Sequence, residues 1–187
     1  DSAITTTSST AYGVVVTATN KLETQARYDT YMAGTTNAVT KSYYDRVWSF
    51  GPQLTAAKVT INGGTYTAIG GTTTAYAAYC GNPSITTDVS AWVSPTMEIN
   101  NATLIAKTNG TTTAGGVYSG GTTVVNNCDI TVEPQTTTGY GVFVQDNKTI
   151  VNNTKINVTT KAKNNSTAAY AYGIYVNAAI NYNTSKK

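Results

Sequence analysis

Apolar positions along the chain come in short runs of period two, and the runs recur. Four segments alternate apolar with polar residues: Tyr66/Ala68, Leu104/Ala106, Ile130/Val132 and Ile156/Val158. Alternation of this period turns one face of a strand inward. Each segment follows an aliphatic–Asn pair: Ile61-Asn62-Gly63, Ile99-Asn100-Asn101, Val125-Asn126-Asn127 and Val151-Asn152-Asn153. A fifth pair stands at Ile180-Asn181. After a polar tract each copy continues into another apolar run: AYAAYC, GGVYS, YGVFV and YGIYV. The pairs are 38, 26 and 26 residues apart. A unit of that length cannot bury a core alone, so the copies must stack on one another.

Three short strands per copy, separated by Asn/Gly and Thr/Gly corners, predict an all-β chain, a three-sided parallel β-helix. A single domain over residues 1–187 follows, with regular rungs over 59–183. Asn suits the first corner because it tolerates left-handed backbone and its amide can bond the next Asn in the stack. A β-sandwich, the alternative, would not need corners that recur in register. On the corner residues Asn62, Asn100, Asn126 and Asn152 and the alternating strands, residues 59–183 resemble the right-handed parallel β-helix (pectin lyase-like) superfamily. That superfamily includes polysaccharide lyases and many adhesin passengers. The resemblance implies an architecture, of the adhesin or surface-protein type rather than the lyases themselves, and is nearly silent about activity.

Two stretches depart from the repeat. Residues 17–58 carry eight of the twenty-one charges, a short helix predicted over 22–32, and the aromatic cluster Tyr43, Tyr44, Trp48 and Phe50. They read as a lateral insertion or cap. About twelve extra residues in the first interval fall in 82–95 and include Trp92. Loops that swell between rungs are where solenoids carry function, although Trp48 and Trp92 would equally well cover the side of the helix.

Composition narrows the chemistry. Only 11% of residues are charged, and Tyr outnumbers Phe fourteen to two. The net charge of +3 does not imply a nucleic-acid partner. Six of the twelve basic residues follow Asp146 and no acid does, which makes the C-terminal end locally basic. No apolar run reaches transmembrane length. A chain starting at Asp1 without initiator Met suggests a mature or trimmed secreted product, at the cell surface or outside the cell. Catalysis on this scaffold needs two or three carboxylates, or carboxylates with Arg or Lys, gathered on adjacent rungs. No column of the repeat holds two of the nine acids and His is absent, so no catalytic, metal or cofactor residues are assigned and the chain reads as non-enzymatic.

Four candidate features remain. Tyr79, Tyr118, Phe143 and Tyr175 occupy one position of the repeat, next to Val117, Val142 and Ile174. Alternation forbids both sets from pointing inward. If the aromatics face out they form a ladder that could, with Trp92, stack on sugar rings or on another filament. Thr72–Thr74, Thr111–Thr113 and Thr136–Thr138 sit in corners and read as solvation, since a water-ordering array needs regular Thr-x-Thr strands. Among several Asn-x-Ser/Thr sequons, Asn109 and Asn164 are the loop candidates for glycosylation. Cys80 and Cys128 read as buried free thiols, because their places in the repeat make a bridge within about 7 Å marginal.

Both ends of the repeat interrupt a rung. Residues 12–16 (YGVVV) align with residues 172–176 (YGIYV), and the pair Ile180-Asn181 opens a copy that is not completed. Counting from Ile180 to Lys187 and on from Asp1 to Val15 gives 22 residues, within the 18 to 24 that separate the Asn-preceding aliphatic from the aromatic of the third strand in the intact copies. The expectation is a structural filament subunit that polymerises head to tail, its joint drawing on Ile4, Tyr12, Val14, Val16, Ile180, Tyr182, Lys186 and Lys187. A carbohydrate-binding or adhesin module is the second expectation; a polysaccharide lyase or hydrolase is the third.

Overall fold

A computed structural model describes residues 3–17, 57–81, 94–109, 113–135, 138–145, 148–160 and 169–177, with a few isolated positions between 29 and 37. Fourteen strands are present among them, and every pairing is parallel. The first sheet stacks β3 (Lys58–Asn62), β6 (Thr96–Asn100), β9 (Thr122–Asn126) and β12 (Thr149–Asn152). The second stacks β1 (Ala3–Ser8), β4 (Thr65–Gly70), β7 (Thr103–Thr108), β10 (Asp129–Glu133) and β13 (Lys155–Val158). The third stacks β2 (Ala11–Thr17), β5 (Ala75–Gly81), β8 (Ala114–Ser119), β11 (Thr138–Val144) and β14 (Tyr170–Val176). The chain visits the sheets in that order on each turn, so the fold is a three-sided parallel β-helix.

The polar Thr/Ser run at 3–8 is itself β1, paired along its whole length with β4. Thr is β-branched and fits a pleated surface, so a tract that looks like solvation serves as a strand. The first rung therefore has second-sheet and third-sheet strands, and among the described residues nothing lies beyond β3 in the first sheet. Nearly all of the expected insertion at 17–58, its predicted helix and its aromatic cluster lie outside the described residues, as do residues 82–93 with Trp92.

The corner chemistry is divided between two residues, where one was expected. Asn62, Asn100, Asn126 and Asn152 end their strands and carry an amide ladder: Asn100 Nδ2 donates to Asn62 Oδ1 at 3.0 Å, Asn126 to Asn100 at 2.9 Å, and Asn152 to Asn126 at 2.9 Å. The left-handed backbone belongs to the next position, at Asn101 (φ 55°), Asn127 (52°) and Asn153 (42°), with Gly63 (80°) in the first complete rung. That second row begins its own ladder, Asn153 Nδ2 to Asn127 Oδ1 at 2.8 Å. Asn is the residue that meets both demands at adjacent positions.

Inside, like stacks on like. Met97 and Ile99, Leu104, Ile130 and Val132, and Val117 and Val142 are fully buried. A row of small residues (Gly13, Ala77, Gly116, Gly141 and Gly173) crosses the third sheet, and pairing skips that row in every strand. A Cβ on Gly116 would come within 2.2 Å of Ile130 Cγ2, and one on Gly141 within 2.2 Å of Ile156 Cγ2. The row therefore marks a bend at which two consecutive residues point inward and the second sheet approaches the third. At the corner that follows, Ser119 Oγ bonds the hydroxyls of Thr123 and Thr149 at 2.8 and 2.7 Å, so buried polar groups satisfy one another. Cys80 and Cys128 are buried and free, as expected, and burial pushes both thiols up.

The glycine row predicts a position-dependent cost. Gly141→Ala forces a methyl against Ile156 and the Gly173 carbonyl, and should destabilise the protein by about 1–3 kcal/mol. Gly173→Ala, whose Cβ meets nothing within 4 Å, should leave thermal melting of the dilute protein unchanged. Circular-dichroism melts of the two variants check the contrast, and equal losses would contradict it.

Candidate functional site

The outer face of the third sheet is an aromatic band. Val117 and Val142 take the interior, so the bend turns Tyr79, Tyr118, Phe143 and Tyr175 outward. Their rings stack along the helix axis: Tyr79–Tyr118 at 4.4 Å, Tyr118–Phe143 at 5.4 Å and Phe143–Tyr175 at 5.5 Å, with interplanar angles of 8°, 11° and 24°. All four are half-buried.

A second column beside it escaped the sequence reading. Tyr12, Tyr76, Tyr140 and Tyr172 precede the first column by three residues, with the bend between them. Strict alternation places residues three apart on opposite faces; the bend returns them to one. The signal was present as the recurring Tyr-[Gly/Ala]-x-aromatic motif at 76–79, 140–143 and 172–175. Tyr76 leans over Gly115, where a Cβ would lie 2.2 Å from its ring. It meets Tyr79 and Tyr118 edge-on at 5.9 and 5.4 Å. Tyr12 meets Tyr79 edge-on at 5.0 Å, and Tyr140 stacks on Tyr172 at 5.5 Å.

This packing limits what the band can bind. Within the ladder each ring face is covered by the next rung, so edges and hydroxyls face solvent. Open ring faces are left at the ends of the columns. Sugar stacking on the length of the ladder, as the sequence suggested, would need the faces the rungs already share.

The two ends of the helix form the second feature. In the last rung the interior columns are uncovered: Ile174 is 52% and Val176 62% exposed, where Val142 and Val144, one rung earlier, are 0% and 8%. Val151, Ile156 and Val158 there are half-buried. Val151, Ile156 and Ile174, together with Asn127 and Cys128, border an open concavity. At the other end Ile4, in the interior column of Leu104 and Ile130, is 41% exposed. Of the expected joint residues, Tyr12 is half-buried in the aromatic band, Val14 packs partly against the core and Val16 is buried within the chain. Ile180, Tyr182, Lys186 and Lys187 lie outside the described residues.

The remaining candidates are dispersed. Asn109 is exposed just after β7, its backbone N–H bonded to Gly70 O at 2.9 Å, whereas Asn164 lies outside the described residues. Thr72–Thr74 occupy the corner between β4 and β5. Glu133 is bonded to Lys107 at 3.0 Å on the outer face of the second sheet, and Glu98 lies on the first. Among the described residues no three His, Cys, Asp or Glu side chains are placed to hold a metal ion, and no helix is long and apolar enough to cross a membrane.

Packing in the aromatic band should appear in an alkaline titration. Burial, then neighbouring tyrosines, pushes Tyr76 far above its ordinary value of 10.0; Tyr140 is raised by burial and then by Tyr175 and Tyr172, and Tyr79 by burial first. The folded state then holds protons the unfolded chain releases near pH 10, so stability present below that pH is lost as pH rises above it. Phenolate absorbance and circular dichroism followed together should show a late tyrosine fraction ionising with loss of the β signal. Complete tyrosine ionisation near pH 10 with the fold intact would contradict this.

In comparisons with known proteins, no protein-family model, no curated protein and no solved structure matches the chain. The assignment is therefore one of architecture, a three-sided parallel β-helix with an aromatic outer face.

Proposed function

We propose that this chain is a non-catalytic structural β-solenoid of the adhesin or surface-protein type, a subunit of an extracellular filament that assembles head to tail. The observation that carries the reading is the uncovered interior of the last rung, whose columns are sealed everywhere further inside. A stack of identical rungs exposes unpaired strand edges at both ends, an arrangement that invites another chain unless it is covered.

The register supports the partner being a second copy. Continuing the columns of the stack, β14 of one subunit meets β2 of the next as Tyr172 on Tyr12, Ile174 on Val14, Tyr175 on Val15 and Val176 on Val16. In the second sheet Ile156 meets Ile4. Aromatic meets aromatic in one column and aliphatic meets aliphatic in three, while Tyr175 meets the aliphatic Val15. Exposed Val15 would cover the open face of Tyr175. The contact joins two different faces, so it propagates instead of closing a dimer. The charge-poor, Thr- and Asn-rich composition fits an exported protein, and among the described residues the carboxylates are dispersed.

Negative-stain microscopy and sedimentation at rising concentration test the reading. The expected result is filaments whose width is that of one solenoid. Ile174→Asp places a carboxylate in the joint and should weaken association by about a hundredfold or more, with little effect on the melting of the dilute protein. Uniform monomers at high concentration, or undiminished polymerisation of the variant, would sink the proposal.

The carbohydrate-binding reading keeps one observation in its favour: the aromatic column faces outward. Sugars would contact ring edges and hydroxyls along the band. Binding on a glycan array that is lost in Tyr118→Ala or Tyr175→Ala would favour it, and no binding to any glycan would dismiss it.

A further inference from the structure

One contact in the aromatic band differs from the rest. Tyr79 and Tyr118 face each other at 4.4 Å with their planes 8° apart, the tightest and most nearly parallel ring pair among the described residues. Register and glycine produce it. The two residues are direct partners in the parallel pairing of β5 with β8, so their Cα atoms stand about 4.8 Å apart. Two residues further on, both strands run into glycine, Gly81 and Gly120. A Cβ on Gly81 would lie 2.4 Å from Tyr79 Cε1 and 2.8 Å from both its Cζ and its hydroxyl oxygen. The Tyr79 ring therefore lies along the strand, over the place that a side chain at 81 would fill. After Phe143 and Tyr175 the equivalent residues are Gln145 and Asn177, and those two rings are tilted by 24°.

The phenol groups come together with the rings. Burial raises the Tyr79 hydroxyl, and the adjacent Tyr118 hydroxyl offsets part of that rise. Near-parallel rings stacked in register set like atoms opposite one another. The Cε carbon of one tyrosine, ortho to its hydroxyl, therefore faces the Cε carbon of the other. An oxidised phenol carries much of its unpaired spin on that carbon. The next ring along the column is Phe143, which has no hydroxyl and separates the pair from Tyr175.

We propose that Tyr79 and Tyr118 form an oxidative cross-linking site, at which a peroxide-driven one-electron oxidant joins two rungs through a dityrosine bond. Each phenol gives up one electron and its hydroxyl proton to become a tyrosyl radical. The two radicals couple through one Cε–Cε bond. The hydrogen on each bonded carbon is then lost while each oxygen regains a proton, which restores two phenols. Two electrons and two protons leave in all, and one hydrogen peroxide takes them up to become two waters. The bond closes a loop across residues 80–117, and a link between residues distant in sequence constrains the unfolded chain more than the folded one. It ties together the rungs on either side of residues 82–93, where the repeat is interrupted. The site lies within one chain and does not depend on head-to-tail assembly.

Treating the dilute full chain with hydrogen peroxide and a haem peroxidase tests it. Dityrosine fluorescence is read in the monomer band, and the linked peptides are identified by mass. The expected product is a monomer lighter by two hydrogens, with residues 79 and 118 in one cross-linked peptide pair, that unfolds at higher urea concentration than the untreated protein. Tyr79→Phe and Tyr118→Phe should each lose most of the fluorescence; Phe143 shows that the column accepts Phe, so both variants keep the stack. Gly81→Ala retains both phenols but drives a methyl into the Tyr79 ring, and should lose fluorescence as well. Tyr140→Phe removes a phenol from the stacked pair Tyr140–Tyr172, at 5.5 Å, and should leave the signal unchanged. Dityrosine that survives in Tyr79→Phe, that maps to Tyr140 and Tyr172, or that forms only between molecules overturns the proposal, as does its absence from the oxidised unsubstituted chain.

Discussion

In-register parallel pairing at a fixed rung spacing is the constraint on which everything else depends. Every side chain has, about 4.8 Å above and below, the residue at the same place in the neighbouring rung. A column is stable only if its members tolerate each other at that distance. Aliphatics do so inside, as in Leu104 and Ile130; amides do so at the corner, where Asn100 and Asn126 each both donate and accept; aromatic rings do so by stacking. Like charges do not. The few charges on the second sheet obey this rule, with Asp129 beside Lys155 and Lys107 beside Glu133. A composition with so few charges is thus a consequence of the stack as well as of any environment the protein occupies.

The same constraint explains which parts of the fold were legible. Features that repeat along a column were visible in the sequence: the Asn corners, the inward pairs of the second sheet, and the aromatic position at Tyr79, Tyr118, Phe143 and Tyr175. Features that depend on the path of a strand were not. The bend at Gly116 and Gly141 breaks period two, so the column of Tyr76 and Tyr140 was hidden, although a Tyr-Gly pair precedes each bend in β2, β11 and β14. Asn100 and Asn101 looked interchangeable as corner residues, because the sequence cannot say which takes the ladder and which takes the positive φ. Residues 3–8 were unreadable as a strand because an all-polar Thr run has no alternation; only pairing with β4 gives it a place.

The aromatic band illustrates how stacking consumes what it displays. An isolated outward tyrosine offers a face to a ligand. Tyr118, held between Tyr79 and Phe143 at 4.4 and 5.4 Å, has given its faces to its neighbours. The amide ladder behaves in the same way: Asn126 spends its donor on Asn100 and its acceptor on Asn152. Along its sides, then, the solenoid satisfies itself.

What the sides satisfy, the ends leave open. An interior rung has two neighbours, and a terminal rung has one. Each self-matching column therefore finishes with a surplus of one polarity at one end and the opposite surplus at the other. Among the described residues, that surplus at the last rung is the apolar surface of Ile174 and Val176 and the Oδ1 of Asn152, and at the first it is Ile4, Val15 and the Nδ2 of Asn62. A cap of unrelated structure could cover either end, but it would need its own amide donor, apolar plug and strand edge, placed at the rung spacing. In the proposed assembly a second copy would bring the apolar plug and the strand edge in register. The property that makes one rung a partner for the next is the one on which the proposed head-to-tail assembly rests.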